Sequence, residues 1–320
     1  MVLRRQDVGH RVVVRRIVGV RNERPLYSDA LGELVEITET DLTIATSKGP
    51  LRVPLDEIHR AKRVPPTRRP NAADVVALEL AANEAWPAPV QDHLGGWLLR
   101  AADGWTGRGN SALPIGDPDR PLEAAIDAVE RWYLTRGAQP LINTPLPLAA
   151  PVGAALDARG WTARPLTLVQ TAPLRSILDA APSRARVELT RTPSEAWLAI
   201  ASGRKGGLPE AARHILTAVR QVRFAHVYGE DGTLLGTGRG TVTGAGHWLG
   251  LALIEVVPEA RRGGLAQEVI GALARWAAES GTSRAFLQVE ERNAAAVALY
   301  SKLGFTTHHS YLTREGPTPA

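Results

Sequence analysis

The 320-residue chain contains no cysteine. That excludes disulfides, thiolate metal ligands and cysteine nucleophiles, and it fits a reducing compartment, so a cytoplasmic location is expected. No window approaches eighteen consecutive apolar residues, so no membrane span is expected. The opening stretch MVLRRQDVGHRVVVRR carries charge but no apolar run of the kind a signal peptide needs. The eight histidines show neither H-E-x-x-H nor paired ligand spacing. His308 and His309, read as neighbours on a strand, would face opposite sides, so no metal is expected. Lysine is scarce as well: Lys48, Lys62, Lys205 and Lys302 are the only four.

Arginine therefore carries the positive charge, and it is unevenly spread. Residues 1–69 hold 14 Lys/Arg against 9 Asp/Glu, which accounts for the whole formal charge of +5. A basic first region is compatible with docking to nucleic acid or an acidic protein; a solvated arginine-rich surface is the plainer reading. The apolar content of 44% is ordinary, and the length suits two or three domains.

Residues 1–64 read as a small all-β unit. VGHRVVVRRIV, LGELVEIT, DLTIAT and LRVPL are strand-like, with RNERP, TETD and SKGP as turns and LDEIHRAKRV as a closing helical turn. An SH3-like barrel is the expectation. PPTRRPN, within 65–71, reads as a proline-rich linker.

Two α/β stretches follow, 72–178 and 184–320. RPLEAAIDAVERWYLTRG in the first parallels GGLAQEVIGALARWAAESG in the second, and GAALDARGWTARP parallels AVALYSKLGFTTHH. The pattern suggests a duplicated unit. Only the second copy carries the more telling junction. There an apolar strand, HWLGLALIEVVP, passes through Arg261-Arg262-Gly263-Gly264-Leu265-Ala266 into an amphipathic helix. A helix start offers unsatisfied N–H groups and a positive dipole end, glycines allow close approach, and arginines add charged donors. A pyrophosphate suits such a turn. In the first copy the same place reads DPDRPLEA, with two aspartates and a proline lacking its N–H.

R-x-x-G-x-A at Arg261, Gly264 and Ala266, preceded by V-V-P, resembles the acyl-CoA pyrophosphate loop of the GCN5-related N-acetyltransferases. A second stretch, Asn293-x-x-Ala296-x-x-Leu299-Tyr300-x-x-x-Gly304-Phe305, follows at that family's spacing. The element order over 185–314, β-α-α-β-β-β-α-β-α-β, is similar too. The resemblance implies a mixed α/β sheet, here in tandem after the barrel, with 72–178 a degenerate copy beside the catalytic 184–320. It implies acetyl-CoA as co-substrate and direct attack by an amine in a ternary complex.

By the same resemblance, the main chain around Leu253 to Val257, including Val256 and Val257, would receive the pantetheine arm. Arg261, Arg262, Gly263, Gly264, Leu265 and Ala266 would hold the pyrophosphate. Asn293 would contact pantetheine or cap its helix, and Tyr300 would protonate the departing thiolate or serve as a core residue. Glu255, acting through water, is the candidate base; His247, Glu290, Glu291 or solvent alone are the alternatives. One departure stands out. Leu287-Gln288-Val289 carries glutamine where ribosomal-protein acetyltransferases of the family typically carry glutamate. GTGRG at 236–240, with Trp97, Trp105 and 108–112, is expected near the acceptor channel, while the tryptophans also suit a core.

The whole order resembles an actinobacterial group described as histone-acetyltransferase-like, which identifies no acceptor. Mycothiol synthase, which acts on an amino-sugar thiol, is a rival resemblance without the leading barrel. The expected activity is N-acetylation of a primary amine by a monomer or homodimer. The alternative is an acyl-CoA-binding regulatory protein with a docking barrel.

Overall fold

The computed structural model describes residues 3–21, 24–46, 49–64, 70–181, 187–205 and 208–318. It contains two compact units, 1–69 and 70–320. Most of the linker PPTRRPN lies outside the described residues.

The first unit is one antiparallel sheet: β1 (Arg11–Arg21), β2 (Arg24–Ile37), β3 (Asp41–Thr46), β4 (Gly49–Pro54) and β5 (Ile58–Arg63), ordered β4-β3-β2-β1-β5. Val12, Val14, Leu34, Ile44 and Val53 alternate with polar neighbours and pack into its core. The segment IHRAKR, expected as part of a helical turn, is strand β5, because only Leu55–Glu57 form a single 3-10 turn. Among the described residues β4 and β5 remain the sheet's edges. Several arginines of this unit are paired, Arg15 with Asp29 at 2.8 Å and Arg52 with Asp41 at 2.6 Å.

The second unit begins with α1 (Ala72–Ala85), whose start is fixed by a reciprocal capping box between Asn71 and Asp74. Then come β6 (Val90–Leu94), β7 (Trp97–Ala101), β8 (Leu113–Pro114), α2 (Leu122–Leu134), β9 (Leu141–Leu146), α3 (Ala150–Ala158), β10 (Thr162–Ala163), β11 (Thr167–Pro173) and α4 (Leu174–Ala180). The remainder is β12 (Val187–Thr190), α5 (Glu195–Lys205), α6 (Glu210–Thr217), β13 (Val222–Tyr228), β14 (Leu234–Thr243), β15 (Trp248–Val256), α7 (Leu265–Glu279), β16 (Arg284–Glu290), α8 (Ala294–Lys302) and β17 (Thr306–Glu315). No helix among the described residues is long and apolar enough to cross a membrane.

The expected boundary between 178 and 184 does not separate two sheets. β11 lies between β16 and β17, antiparallel to both, and β17 in turn pairs with β9 and β10. Nine strands from both stretches thus form one sheet. Val169, buried at the centre of β11, packs with Phe286 and Tyr311 from later strands and with Leu78 and Ala82 of α1.

Two expectations about side-chain direction are corrected here. His308 and His309 do not part: their Nδ1 atoms are 2.8 Å apart. Between Val169↔His309 and Gln170↔Thr307 the strand holds an extra residue, and this bulge at His308 breaks the alternation. His309 Nε2 also meets Glu79 Oε1 at 2.7 Å in the interior. Secondly, the glycines of GTGRG make room for a helix, not for an acceptor. A Cβ on Gly238 would stand 2.5 Å from Val269 Cγ1, and one on Gly240 2.9 Å from Leu273 Cδ2, both on α7. Arg239 points to the other face, where it is fully buried and donates to the carbonyls of Leu216, Ile215 and Ala85. It thereby satisfies the C-terminal carbonyls of α6 and α1, while burial pushes its pKa down to about 9.

Candidate active site

β15 and β16 run parallel, in register from Trp248↔Arg284 to Leu251↔Leu287. Both strands continue beyond that pair, β15 on β14 and β16 on β11, but no longer paired to each other, so they diverge. Where they part, β15 bulges: Arg239 opposes Ala252 and Thr237 opposes Glu255, leaving two residues of β15 opposite Gly238. Leu253 takes φ 53°, an uncommon conformation for a branched side chain. The bulge has a directional effect. Ala252 and Glu255 are three apart, so a regular strand would set them on opposite faces; the extra residue returns Glu255 to the Ala252 and Arg239 face.

A cavity of about 1390 Å³ opens in this divergence. Leu253, Ile254, Glu255 and Val256 form one wall, and β16 residues Gln288 to Glu290 form the other. Backbone N–H and C=O groups of β15 past Leu251 lack the β16 partner they have below it, which leaves strand-like hydrogen-bonding capacity facing the cavity.

The strand end turns through Pro258–Ala260, and Arg261 Nε donates to the Val256 carbonyl at 3.1 Å. Arg262 at φ 65° and Gly264 at φ 86° both take left-handed conformations. Gly264 is the N-cap of α7, and no side chain caps that end. The Gln267 N–H donates back to the Gly264 carbonyl at 2.9 Å, while those of Leu265 and Ala266 at the start of this 15-residue helix are open to an anion, beside two exposed arginines. α7 is held in place by Val269, Ile270, Leu273, Ala274 and Ala277, which pack in the main core.

The cavity collects most of the expected cofactor residues: Val256, Arg261, Arg262, Gly264, Leu265, Ala266, Asn293 and Tyr300. Val257 and Gly263 are not on its wall. Val257 instead donates its N–H to Leu235, extending the pairing with β14. Asn293 Oδ1 accepts from the Ala296 N–H at 3.2 Å and caps α8. Tyr300, two turns along α8, lies with its ring 5.8 Å from that of Phe305 and packs against the core while lining the cavity.

Among the candidate bases, Glu255 is on the wall. Glu290 is there as well, and it pairs with Arg292 at 2.6 Å. His247 lies in the turn before β15, at the end remote from the divergence, and neither it nor Glu291 lines the cavity.

The far wall was only partly anticipated. Thr106, Gly107 and Arg108 reach the cavity, as does Trp86. Asn110 pins this loop, accepting from the N–H groups of Ala102 and Gly104 and donating to the carbonyls of Trp105 and Thr106. Arg108 Nη1 donates to Gln288 Oε1 at 2.8 Å, and Tyr311 Oη donates to the same oxygen at 3.1 Å. The Arg108 guanidinium also stacks 4.6 Å from the Trp86 ring, and burial lowers its pKa from the ordinary value. Trp105 stacks on Trp86 behind it at 5.3 Å. Trp97 does not contribute: it is buried in a separate core and donates to the Gly116 carbonyl. The sequence offered two separate signals for this cluster, the segment 108–112 with Trp105 and the glutamine in Leu287-Gln288-Val289, and nothing that joined them.

Residues 72–313 match the family model "Probable histone acetyltransferase Rv0428c C-terminal". The chain is 30% identical to probable histone acetyltransferase Rv0428c of Mycobacterium tuberculosis (strain ATCC 25618 / H37Rv), over 94% of this chain and 93% of that one. It is 32% identical to the uncharacterized N-acetyltransferase YobR of Bacillus subtilis (strain 168), over 75% of this chain and 99% of that one. Among solved structures, a GCN5-related N-acetyltransferase from Kribbella flavida shares the fold with a TM-score of 0.57 at 15% identity, over 77% and 95% of the two chains. With the diverging parallel strands, the uncapped helix start and these likenesses together, the chain belongs to the GCN5-related N-acetyltransferase family and is an acyltransferase.

Proposed function

We propose that the protein transfers the acetyl group of acetyl-CoA to a primary amine by direct attack in a ternary complex. The observation that carries this is the opening between β15 and β16 ending in an arginine-bearing, uncapped helix start. An elongated ligand with an amide-rich arm and a pyrophosphate fits that sequence of groups. The backbone of Leu253 to Val256, on the edge turned toward β16, would hold the arm. The amides of Arg262 to Ala266, with the arginine side chains, would hold the pyrophosphate.

Acetyl-CoA supplies an activated thioester. The chain's own residues then have two proton tasks. Glu255, turned to the acceptor side by the bulge, takes a proton from the amine through water, since an ammonium has no lone pair to attack with. As the C–N bond forms and the C–S bond breaks, Tyr300 donates its phenolic proton to the departing sulfur. The nitrogen, left positive by the new C–N bond, gives up its second proton to solvent, and the phenol is reprotonated from solvent.

We further propose that residues 72–178 are a copy of the same unit that has lost its ligand. Supporting this, Ala112, just before β8, makes an isolated parallel bridge to Ile142 of β9, with α2 between them, as β15 and β16 have α7. Asp119 repeats the positive φ of the active loop at 58°. Asp117, Asp119 and Pro121 then put negative charge and a missing N–H where an anion would bind.

The test is thiol release from acetyl-CoA with a panel of lysine peptides, polyamines, aminoglycosides, amino acids and amino-sugar thiols. Release with an amine, and mass spectra showing an N-acetyl product, supports the reading. Tight CoA binding with no turnover across the panel would overturn it.

A further inference from the structure

We propose that the acceptor bears a carboxylate close to its reacting amine, and that Arg108 and Gln288 bind it. This rests on the acetyltransferase reading above and adds the class of acceptor: an amino acid or a similar amino-carboxylate.

Consider first what Arg108 lacks. Among the described residues no carboxylate lies within ion-pair distance of it, and its hydrogen-bonding partner, Gln288 Oε1, is neutral. Two other arginines on the cavity wall, away from the α7 start, differ. Arg164 pairs with Glu315 at 2.7 Å and Arg292 with Glu290 at 2.6 Å. A half-buried guanidinium, pinned by the Asn110 loop and stacked on Trp86, keeps several N–H donors without an anion. The Glu79 charge acts on it only from a distance and burial outweighs that effect, so such a cation is costly unless something brings the opposite charge into contact.

Gln288 adds an independent observation. Its Oε1 receives two donors, Arg108 and Tyr311, and this fixes which end of the amide is oxygen. Its Nε2 is buried and has no hydrogen-bond partner. Gln288 lines the cavity, and an orphaned buried donor on such a residue is unusual enough to need an explanation. The two features lie side by side, and both ask for an acceptor. A planar two-oxygen anion answers both, one oxygen toward the guanidinium and the other toward the amide.

The position fits the chemistry. Gln288 follows Leu287, the last residue of β16 paired to β15, so it stands where the strands part. Leu287 and Val289 pack into the core beside α7, so Gln288 faces the opposite side. That is the face to which the β15 bulge returns Glu255. An anion held by Arg108 and Gln288 thus leaves the amine of the same small molecule toward Glu255.

The experiment uses the full chain and matched acceptors: L-lysine against cadaverine, L-ornithine against putrescine, and phosphoethanolamine against ethanolamine. The carboxylated member of each amino-acid pair should exceed its decarboxylated partner about 100-fold in kcat/KM. Preference confined to phosphoethanolamine would replace the carboxylate with a phosphate and overturn the proposal as stated. Arg108→Gln should cut the lysine-to-cadaverine ratio at least about tenfold, with Arg108→Lys keeping part of it. Gln288→Leu should cut it without touching the charge, which guards against misfolding of the Arg108 variants. CoA titration of each variant reports whether the fold is intact. Calorimetric titration of lysine and cadaverine onto CoA-saturated protein reads the same preference without turnover, and equal affinities would sink the proposal. Turnover of amines lacking a carboxylate, with no preference, would leave the acetyltransferase reading standing and remove this one alone.

Discussion

Gly264 separates two kinds of demand on one residue. Its φ of 86° disfavours a side chain, yet a Cβ there has room, the nearest outside atom being Gln267 Oε1 at 3.8 Å. Gly264→Ala should therefore cost only about 1 kcal/mol of stability, from the left-handed conformation. Gly264→Asp should fold at least as well, because aspartate tolerates that conformation and caps helices. Its carboxylate would nonetheless oppose the pyrophosphate, and CoA affinity should fall about 100-fold. Calorimetry and thermal melting of the two variants check this; equal loss of CoA binding in both would mean that backbone geometry, not charge, governs the loop. Tyr300→Phe asks a different question. Its ring keeps the packing against Phe305, so CoA binding should hold while kcat drops by about 10²-fold or more. An unchanged kcat would assign Tyr300 to packing alone.

At the level of elements, the bulged end of β17 makes stability depend on pH. Burial, then the neighbouring His309 and Arg284 charges, pushes the His308 pKa down to about 4. In the unfolded chain an ordinary histidine takes its proton near pH 6.5. Above that pH both states are neutral and the full stability is present. As the pH falls toward 4, the unfolded state gains a proton the folded state refuses, so stability declines. Urea titrations at pH 7 and pH 5 should show this loss, and His308→Leu should flatten it; an unchanged difference between the two pH values would assign the loss to other groups. The bulge itself was not readable in THHSYLTRE, since it depends on register against β11. Helix α7 was readable because Val269, Ile270, Leu273, Ala274 and Ala277 recur at helical spacing and Gly281 follows. The cap at Asn293 was legible for the same local reason. GTGRG misled because glycine says that something approaches closely, not what does. The Arg108–Gln288 pair was hidden because its partners lie 180 residues apart.

For the whole molecule, the proposed duplication makes a prediction, because the two halves differ at their helix starts. Calorimetric titration should find one CoA per chain, since the α2 start offers Asp117, Asp119 and Pro121 where the α7 start offers arginines and glycines. A second site of comparable affinity would contradict the account of the first half. The sharing of one sheet was the least legible feature, because nothing local to PLTLVQTAP tells whether that strand closes its own half or crosses to the other. That crossing has a consequence for how the chain is made. β11 ends at Pro173, and β16 begins 111 residues later at Arg284. At ribosomal speeds of roughly 5–20 residues per second, the emerged strand waits about 5–20 s for its first partner. β17 arrives later still. Through that interval Val169 and the edges of β11 must be kept from other partners, so the newborn first half is the state on which a chaperone would act.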